Sequence, residues 1–176
     1  GRPLSHVQLS VGGHGEIMIN GGVMAGYLGE APVNGAWATG DLGVLDREGF
    51  LRVSGRAKNL LITAYGRNVN PEWLESVFQT SDVLRSVVVF GDGEPALSAV
   101  LVAMPGACRS QVAAAVATLN EGLPDYARIA NWVLAGQPFS ADNGLATANG
   151  RPRREAIFQT YQAALSRTGH NQLAYF

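Results

Sequence analysis

The residues best suited to chemistry in this sequence are one carboxylate and a group of arginines. Asp41 ends a Thr-Gly-Asp triplet, and Arg151, Arg153 and Arg154 stand at the start of the last predicted helix. Positive charges at a helix amino terminus oppose the helix dipole, so the arginines suggest an anionic ligand. A turn aspartate and a solvated helix start fit the same residues, and both interpretations stay open at this point.

Other kinds of catalytic chemistry have little support. His6, His14 and His170 have neither metal-ligand spacing nor a nucleophile partner, so we expect no metal site and no Ser-His-Asp or Cys-His catalysis. Cys108 is the only cysteine. It excludes an internal disulfide, and we interpret it as a plain small residue. The glycines within residues 12–22 lack the spacing of a phosphate-binding loop, and we interpret them as turn residues.

Composition limits the partners. Thirteen Lys and Arg balance 14 Asp and Glu without a block of like charge, so we expect no nucleic-acid or anionic-membrane surface. No apolar run reaches the roughly 20 residues of a membrane span, and no secretory signal opens the sequence, so we expect a cytoplasmic protein. Charged residues make up only 15% of the chain, against about 25% in ordinary domains. This low fraction suggests that part of the surface of these residues is normally covered by other residues of a longer protein.

Two regions with different patterns would position these residues. Residues 1–57 predict β-structure, with a hairpin over 42–53 that turns at Gly49. From Lys58 onward the pattern predicts an α+β fold, a small domain with helices packed on a short sheet. Strands are predicted over 60–63, 86–90, 97–103 and 132–134. Three helices are predicted, one over 71–79, one that begins after Ser110 as its cap, and one over 154–165.

Several short motifs follow one another along nearly the whole chain. They are Gly15-Glu16 with Gly26-Tyr27, the triplet from Thr39 to Asp41, the Gly-Arg-x-Lys from Gly55 to Lys58, the stretch from Gly66 to Glu75, and the Thr-x-Asn-Gly-Arg from Thr147 to Arg151. Each is weak alone, but the ordered set is hard to obtain by chance. The set resembles the adenylate-forming (AMP-binding) superfamily of acyl-CoA synthetases, luciferases and peptide-synthetase adenylation domains.

This resemblance implies a domain organisation. Residues 1–57 would be the carboxy-terminal, β-rich end of a large nucleotide-binding domain, and residues 58–176 a small mobile C-terminal domain. Lys58 would be the hinge about which the small domain rotates between two half-reactions. The rest of the large domain would lie upstream, so we expect this chain alone to be inactive.

The resemblance also implies roles for single residues. Asp41 would accept hydrogen bonds from the ribose hydroxyls of ATP, because a carboxylate has two acceptor oxygens for a vicinal diol. Arg56 would hold the ribose or phosphate of the adenylate with its planar guanidinium. Gly66 would line the channel for a phosphopantetheine arm, where the lack of a side chain is the requirement. A turn glycine is the competing interpretation of Gly66.

Arg151 is where the sequence departs from the family, because most members carry a lysine there. That lysine neutralises charge at the α-phosphate and the attacking carboxylate. Arginine keeps the charge but has a wider, planar head. Arg151 could perform this task, a neighbouring arginine could perform it, or adenylation could be impaired. We favour the first, because Thr147, Asn149 and Gly150 match the family.

The implied cofactors are ATP and Mg²⁺, bound largely by the upstream domain. The implied substrates are a carboxylic acid and a thiol acceptor, either CoA or the phosphopantetheine of an acyl or peptidyl carrier protein. The stretch over 55–71 is more similar to fatty acyl-CoA ligases, and so to fatty acid metabolism, than to peptide synthetases.

Three alternatives stay open. The chain could be a non-catalytic binding or regulatory fragment, which predicts an exposed apolar patch and no effect of nucleotide. It could belong to an adenylation domain that serves a peptide-synthetase carrier protein. Finally, the small domain could fold alone, with residues 1–57 partly disordered.

Overall fold

The structure is a computed structural model that describes residues 1–22, 24–29 and 31–172, with side chains described as far as residue 166. The chain divides into two compact units. The first runs from Gly1 to Leu60, and the second begins at Leu61. No helix within the described residues is long and apolar enough to cross a membrane.

The first unit is a four-stranded antiparallel sheet with the strands in sequence order. Its strands are β1 (Gln8–Val11), β2 (Glu16–Asn20), β3 (Trp37–Leu45) and β4 (Leu51–Arg56). The predicted hairpin is present as β3 and β4, and it is longer than the 42–53 expected. Gly49 has the positive φ of 81° that its turn requires. Strand β1 was not predicted.

A short 3₁₀ turn, Ala57–Asn59, follows β4, and the described part of the second unit then contains five strands and three α-helices. They are β5 (Leu61–Ile62), β6 (Asn68–Val69), α1 (Pro71–Phe78), β7 (Leu84–Phe90), β8 (Leu97–Ala103), α2 (Arg109–Glu121), β9 (Ile129–Leu134) and α3 (Arg154–Gln172). Strands β5 and β6 form an antiparallel pair. Strand β8 lies between an antiparallel β7 and a parallel β9. The α+β fold class predicted from the sequence is confirmed.

The helix starts follow local chemistry, with one departure from prediction. Asn70 caps α1 by accepting a hydrogen bond from the Trp73 N–H (3.2 Å), and Pro71 occupies the first turn, as predicted. The Ser110 cap is wrong, because the cap is Cys108 and α2 begins at Arg109, two residues earlier than a Ser110 cap implies. The Gln111 side-chain oxygen accepts from the Cys108 N–H (2.9 Å), so glutamine three residues into the helix fixes its start.

The core of the second unit lies on both faces of the β7–β8–β9 sheet. Alternate residues of β7 point to opposite faces. Val87 and Val89 belong to the apolar cluster that contains α1 and α2, whereas Val88 and Phe90 belong to the cluster that contains α3. Helices therefore cover both faces of this sheet, which explains the continuous apolar runs of its strands.

Candidate functional site

The two residues predicted to bind nucleotide contact each other in the first unit. Asp41 and Arg56 are register partners on β3 and β4, and the Arg56 Nε atom lies 2.7 Å from the Asp41 Oδ1 atom. The Arg56 Nη1 atom also donates to the Thr39 carbonyl oxygen (3.3 Å). Antiparallel pairing thus brings the Thr-Gly-Asp and Gly-Arg motifs together, although 15 positions of sequence separate their charged groups.

The Thr-Gly-Asp segment is held in place by strand β2. The Thr39 hydroxyl donates to the Ile17 carbonyl oxygen (2.8 Å) and accepts from the Asp41 N–H (3.1 Å). The Gly40 N–H donates to the Glu16 Oε1 atom (3.1 Å), and Gly40 has a φ of 72°, which favours glycine. These bonds fix the backbone from which the Asp41 carboxylate projects. Sequence reasoning recognised the Gly15-Glu16 motif but not this role of Glu16.

The Asp41–Arg56 ion pair is open to solvent. The Asp41 side chain is 30% exposed and the Arg56 side chain 51% exposed. Exposed ion pairs contribute only about 0–1 kcal/mol to stability, so either side chain can exchange its partner for a ligand at small cost. The ion-pair contact of 2.7 Å involves the Asp41 Oδ1 atom, and each carboxylate oxygen can accept more than one hydrogen bond. The carboxylate therefore retains acceptor capacity for a hydroxyl pair, and the guanidinium retains donors for an oxyanion.

Lys58 lies in the 3₁₀ turn Ala57–Asn59, and its side chain is exposed. The residues that flank this turn have extended backbone, with φ and ψ of −102° and 133° at Arg56 and −59° and 126° at Leu60. The division between the compact units falls directly after Leu60. A short exposed turn next to that division is suited to a hinge, and the hinge role of Lys58 stays a prediction.

Gly66 lies in the turn that joins β5 to β6. Its N–H donates to the Thr63 carbonyl oxygen (2.8 Å), and its φ is 72°. A Cβ atom at Gly66 would meet no other atom within 4 Å. The turn alone therefore explains the glycine, and its role in a thiol channel stays a prediction.

Arg151 ends a closed hairpin in the second unit. An isolated bridge pairs Ala146 with Pro152, and we call residues 146–152 the Arg151 hairpin. The Thr147 N–H donates to the Arg151 carbonyl oxygen (2.8 Å), the Gly150 N–H donates to the Thr147 carbonyl oxygen (2.8 Å), and the Arg151 N–H donates to the Thr147 hydroxyl (3.1 Å). The Arg151 side chain is exposed, so its guanidinium can bind an anion.

The neighbouring Arg154, an alternative candidate for the task of Arg151, is engaged by groups of its own unit. Its Nη1 and Nη2 atoms bind the Glu75 carboxylate oxygens at 2.8 and 3.1 Å, and Nη1 also donates to the Val89 carbonyl oxygen (2.7 Å). Arg153 donates to the Gly144 carbonyl oxygen (3.3 Å). The donors of Arg154 are thus used within the fold, whereas the Arg151 side chain is exposed. Which arginine assists adenylation stays a prediction.

Glu75 is a second residue whose role the sequence analysis missed. Its side chain is only 13% exposed. Burial raises the pKa of the Glu75 carboxyl above its ordinary value of 4.5, and the Arg154 guanidinium and the Val89 N–H oppose this rise without cancelling it. A signal was present, because Pro71, Leu74 and Phe78 define the buried face of α1 and Glu75 has the helical spacing of that face. A carboxylate at such a position requires a partner.

Comparisons with known proteins find relatives among acid–CoA ligases. The long-chain-fatty-acid–CoA ligase FadD15 of Mycobacterium tuberculosis is 36% identical over 114 residues, which are 61% of this chain and 19% of that protein. The O-succinylbenzoate coenzyme A synthetase of Bacillus subtilis, solved with AMP, is 26% identical with a TM-score of 0.71, and the match covers 89% of this chain and 34% of that one. The present chain therefore spans about a fifth of the length of the first relative.

A third comparison concerns the fold alone. The A domain of the carboxylic acid reductase from Segniliparus rugosus, solved with AMP and a co-purified carboxylic acid, superposes with a TM-score of 0.80 at 22% identity. The match covers 98% of this chain and 32% of that one. This likeness shows that the two chains share a fold. Together with the relatives above and the family match below, it confirms the resemblance stated from the motifs.

The family itself follows from the extent of one further match. The family model of the AMP-binding enzyme C-terminal domain matches residues 58–170, which is more than half of the chain. The chain belongs to the AMP-binding enzyme C-terminal domain family.

Proposed function

We propose that this chain is the carboxy-terminal part of an AMP-forming acid–thiol ligase. In the first half-reaction a carboxylate oxygen attacks the α-phosphorus of ATP, an acyl-adenylate forms and pyrophosphate leaves. In the second, a pantetheine sulfur attacks the acyl carbon, the thiol proton is released and AMP leaves. The three products of the cycle are then pyrophosphate, released in the first half-reaction, and the thioester and AMP, released in the second.

The observation that carries this proposal is the Asp41–Arg56 pair in a chain of the AMP-binding family. A vicinal diol can donate two hydrogen bonds to a carboxylate, and a guanidinium can bind an oxyanion beside it. The 2.7 Å ion pair holds both groups at one place on the β3–β4 edge. This arrangement supports binding of the ribose by Asp41 and of the ribose or phosphate by Arg56.

Three further residues have proposed roles. Lys58 is the hinge that allows the small domain to serve both half-reactions. Gly66 lines the thiol channel, a role that rests on its match to the family motif and not on its surroundings in the turn. Arg151 neutralises charge at the α-phosphate during adenylation, because its guanidinium is exposed on a closed hairpin.

Magnesium would be bound elsewhere. Among the residues that the structure describes, no group of three or more His, Cys, Asp or Glu side chains could hold a metal ion. Mg²⁺ that accompanies a nucleotide is usually held by one or two carboxylates together with the phosphates, and we assign no residue of this chain to it.

For the acid and the acceptor we propose a fatty acid and CoA as the first candidates. Support comes from the relative named a long-chain-fatty-acid–CoA ligase, which shares 36% identity with this chain. A carrier-protein phosphopantetheine is the alternative acceptor, since it presents the same thiol as CoA. A cytoplasmic location stays a prediction.

Acid-dependent exchange between ATP and pyrophosphate by the full-length enzyme tests the proposal. A panel of fatty and aryl acids should give exchange with one acid class, and Arg151→Ala should lower that exchange by about 100-fold. Arg151→Lys should retain most of it, because lysine keeps the charge. Arg47→Ala, at an exposed turn of the first unit, is the control and should match the unmodified enzyme.

The outcomes separate the alternatives. Exchange that survives Arg151→Ala would remove the role assigned to Arg151 but not the ligase. If no acid on the panel gives exchange and nucleotide does not bind, the protein is a non-catalytic binding or regulatory fragment instead.

A further inference from the structure

The backbone of Arg151 is fixed by its own hairpin, and the hairpin is fixed at its base. The Arg153 N–H donates to the Leu145 carbonyl oxygen (2.8 Å), and the Ala146 N–H donates to the Ser140 carbonyl oxygen (2.9 Å). Leu145 and Ala146 are buried, with 8% and 3% exposure. The position of Arg151 therefore depends on what holds residues 145–154 against the sheet.

The Arg154 guanidinium connects the segment below the Arg151 hairpin to α1 and to β7. Arg154 is the first residue of α3 and follows Arg151 by three positions. It binds both oxygens of Glu75 on α1 and the carbonyl oxygen of Val89 on β7. Glu75 in turn accepts from the Val89 N–H (2.8 Å). The backbone N–H and C=O groups of Val89 are thus both bonded to side chains. These bonds join α1, β7 and the start of α3 in one network.

Stability alone is a poor reason for a network of this kind. Burial of a carboxylate carries a large desolvation penalty, and a buried ion pair is often no more stabilising than apolar residues of the same size. What a bidentate Arg–carboxylate pair does provide is fixed geometry, because its two parallel bonds set the orientation as well as the distance. Here that geometry is imposed on the segment that carries Arg151.

We propose that Glu75 and Arg154 are positioning residues for adenylation, which hold the Arg151 hairpin where the Arg151 guanidinium can meet the α-phosphate. This inference rests on the proposed function. A displacement of about 1 Å in a catalytic group can cost about 100-fold in rate. Loosening the Glu75–Arg154 pair should therefore weaken adenylation through Arg151, and the second half-reaction should be spared.

The test uses the full-length enzyme and measures the half-reactions separately. Exchange between ATP and pyrophosphate reports adenylation, and thioester formation from prepared acyl-adenylate and CoA reports the second step. Glu75→Gln should lower exchange by about tenfold or more and change thioester formation by less than about twofold. In an Arg151→Ala background the same substitution should change exchange by less than about twofold, because the group it positions is already gone.

Arg128→Lys is the matched control. Arg128 also combines an ion pair, to Asp125 at 2.7 Å, with bonds from its Nε atom to the carbonyl oxygens of Asn120 and Leu123 (both 3.1 Å). It lies in the same unit, and its substitution should leave both half-reactions unchanged. Arg154→Lys provides a second variant, since lysine keeps the charge and loses the bidentate geometry. It should reproduce the loss of exchange.

Several outcomes would overturn the inference. Equal losses in both half-reactions, or a full further loss in the Arg151→Ala background, would mean that the pair serves the fold alone. The same conclusion follows if Glu75→Gln and Arg154→Lys both fail to fold while Arg128→Lys folds. An active enzyme that needs Arg151 but tolerates Glu75→Gln contradicts this inference only. An enzyme without exchange for any acid contradicts the proposed function itself.

Discussion

The Arg154 guanidinium and the Glu75 carboxylate meet through two parallel hydrogen bonds of 2.8 and 3.1 Å, although 79 residues separate them in the chain. Both side chains are largely buried, with 28% and 13% exposure. Their contact ties the last described helix to the first helix of the same unit. It is also the tertiary relationship on which the first two predictions below depend.

Removing one partner of this pair should be costly, and removing both should cost much less. Arg154→Met leaves the Glu75 carboxylate buried without its cation, and we expect a loss of about 2–4 kcal/mol in the free energy of unfolding. The double variant Glu75→Leu with Arg154→Met should recover more than half of that loss. Urea unfolding measures the free energy of unfolding of the unmodified chain, the single variant and the double variant. Arg128→Met, at a more exposed ion pair, should cost about 1 kcal/mol or less.

The pH dependence of stability should carry the signature of Glu75. Burial raises the pKa of Glu75 above 4.5, so in the window between 4.5 and the folded-state pKa the folded protein binds more protons than the unfolded chain. Stability contributed by this site therefore falls as pH rises through that window and is constant above it. Relative to Glu75→Gln, the unmodified protein should lose thermal stability across this window.

Thermal unfolding from about pH 4 to about pH 8 measures the difference between the two proteins. Other carboxylates titrate in both and cancel. The nearby charges that bear on Glu75 are Arg154 and Glu72, and both are retained in the variant. Parallel curves for the two proteins across the whole range would contradict the raised pKa of Glu75.

Gly66→Ala should separate the structural from the functional interpretation of this glycine. Gly66 has a φ of 72° and open space where a Cβ would lie, and Gly93 has a φ of 71° and the same open space. Either substitution to Ala should cost about 1–2 kcal/mol of stability, because left-handed backbone is unfavourable for a residue with a Cβ. Only Gly66→Ala should raise the KM for CoA in the full-length enzyme. Equal kinetics for the two variants would leave Gly66 as a turn residue.

Asp41→Asn should weaken nucleotide binding without unfolding the first unit. The substitution keeps the shape but removes the charge that pairs with Arg56, and the exposed pair contributes only about 0–1 kcal/mol to stability. We expect the KM for ATP to rise by about tenfold or more, since hydrogen bonds to a charged group contribute about 1.5–3 kcal/mol. Asp125→Asn removes the acid of another exposed pair and should not change this KM. An unchanged KM in Asp41→Asn would remove the ribose-binding role.

Local patterns predicted most elements of the second unit, because its helices and strands have strong periodicity and clear caps. The hairpin predicted over 42–53 stops short of Asp41 and Arg56. Their contact was therefore not predicted, and it follows from the longer register of β3 and β4. The two-residue strand β6 was missed, because so short a segment forms through its pairing with β5 and not through local preference. The α2 cap was misassigned because serine is the commoner cap, whereas the Gln111 bond to Cys108 decided the start.

The Glu75–Arg154 contact could not be predicted from the sequence for a different reason. Each residue has an ordinary local interpretation, a helix glutamate and a basic helix start. Their pairing depends on α1 and α3 approaching β7, which only the packed sheet determines. The same limit applies to Glu16, whose bond to Gly40 joins two strands. Glu16 and Glu75 each stand next to a buried apolar residue in the sequence. That placement indicates a carboxylate that requires a partner, but it does not identify the partner.

Strand β7 lies at the outside of its three-stranded sheet, with β8 as its neighbour. Outer strands offer free N–H and C=O groups that can recruit a strand from another molecule and start aggregation. At Val89 both groups are already occupied, by the side chains of Glu75 and Arg154. Two charged side chains thus interrupt the ladder that an incoming strand would need, and they protect this border of the sheet from association with other copies.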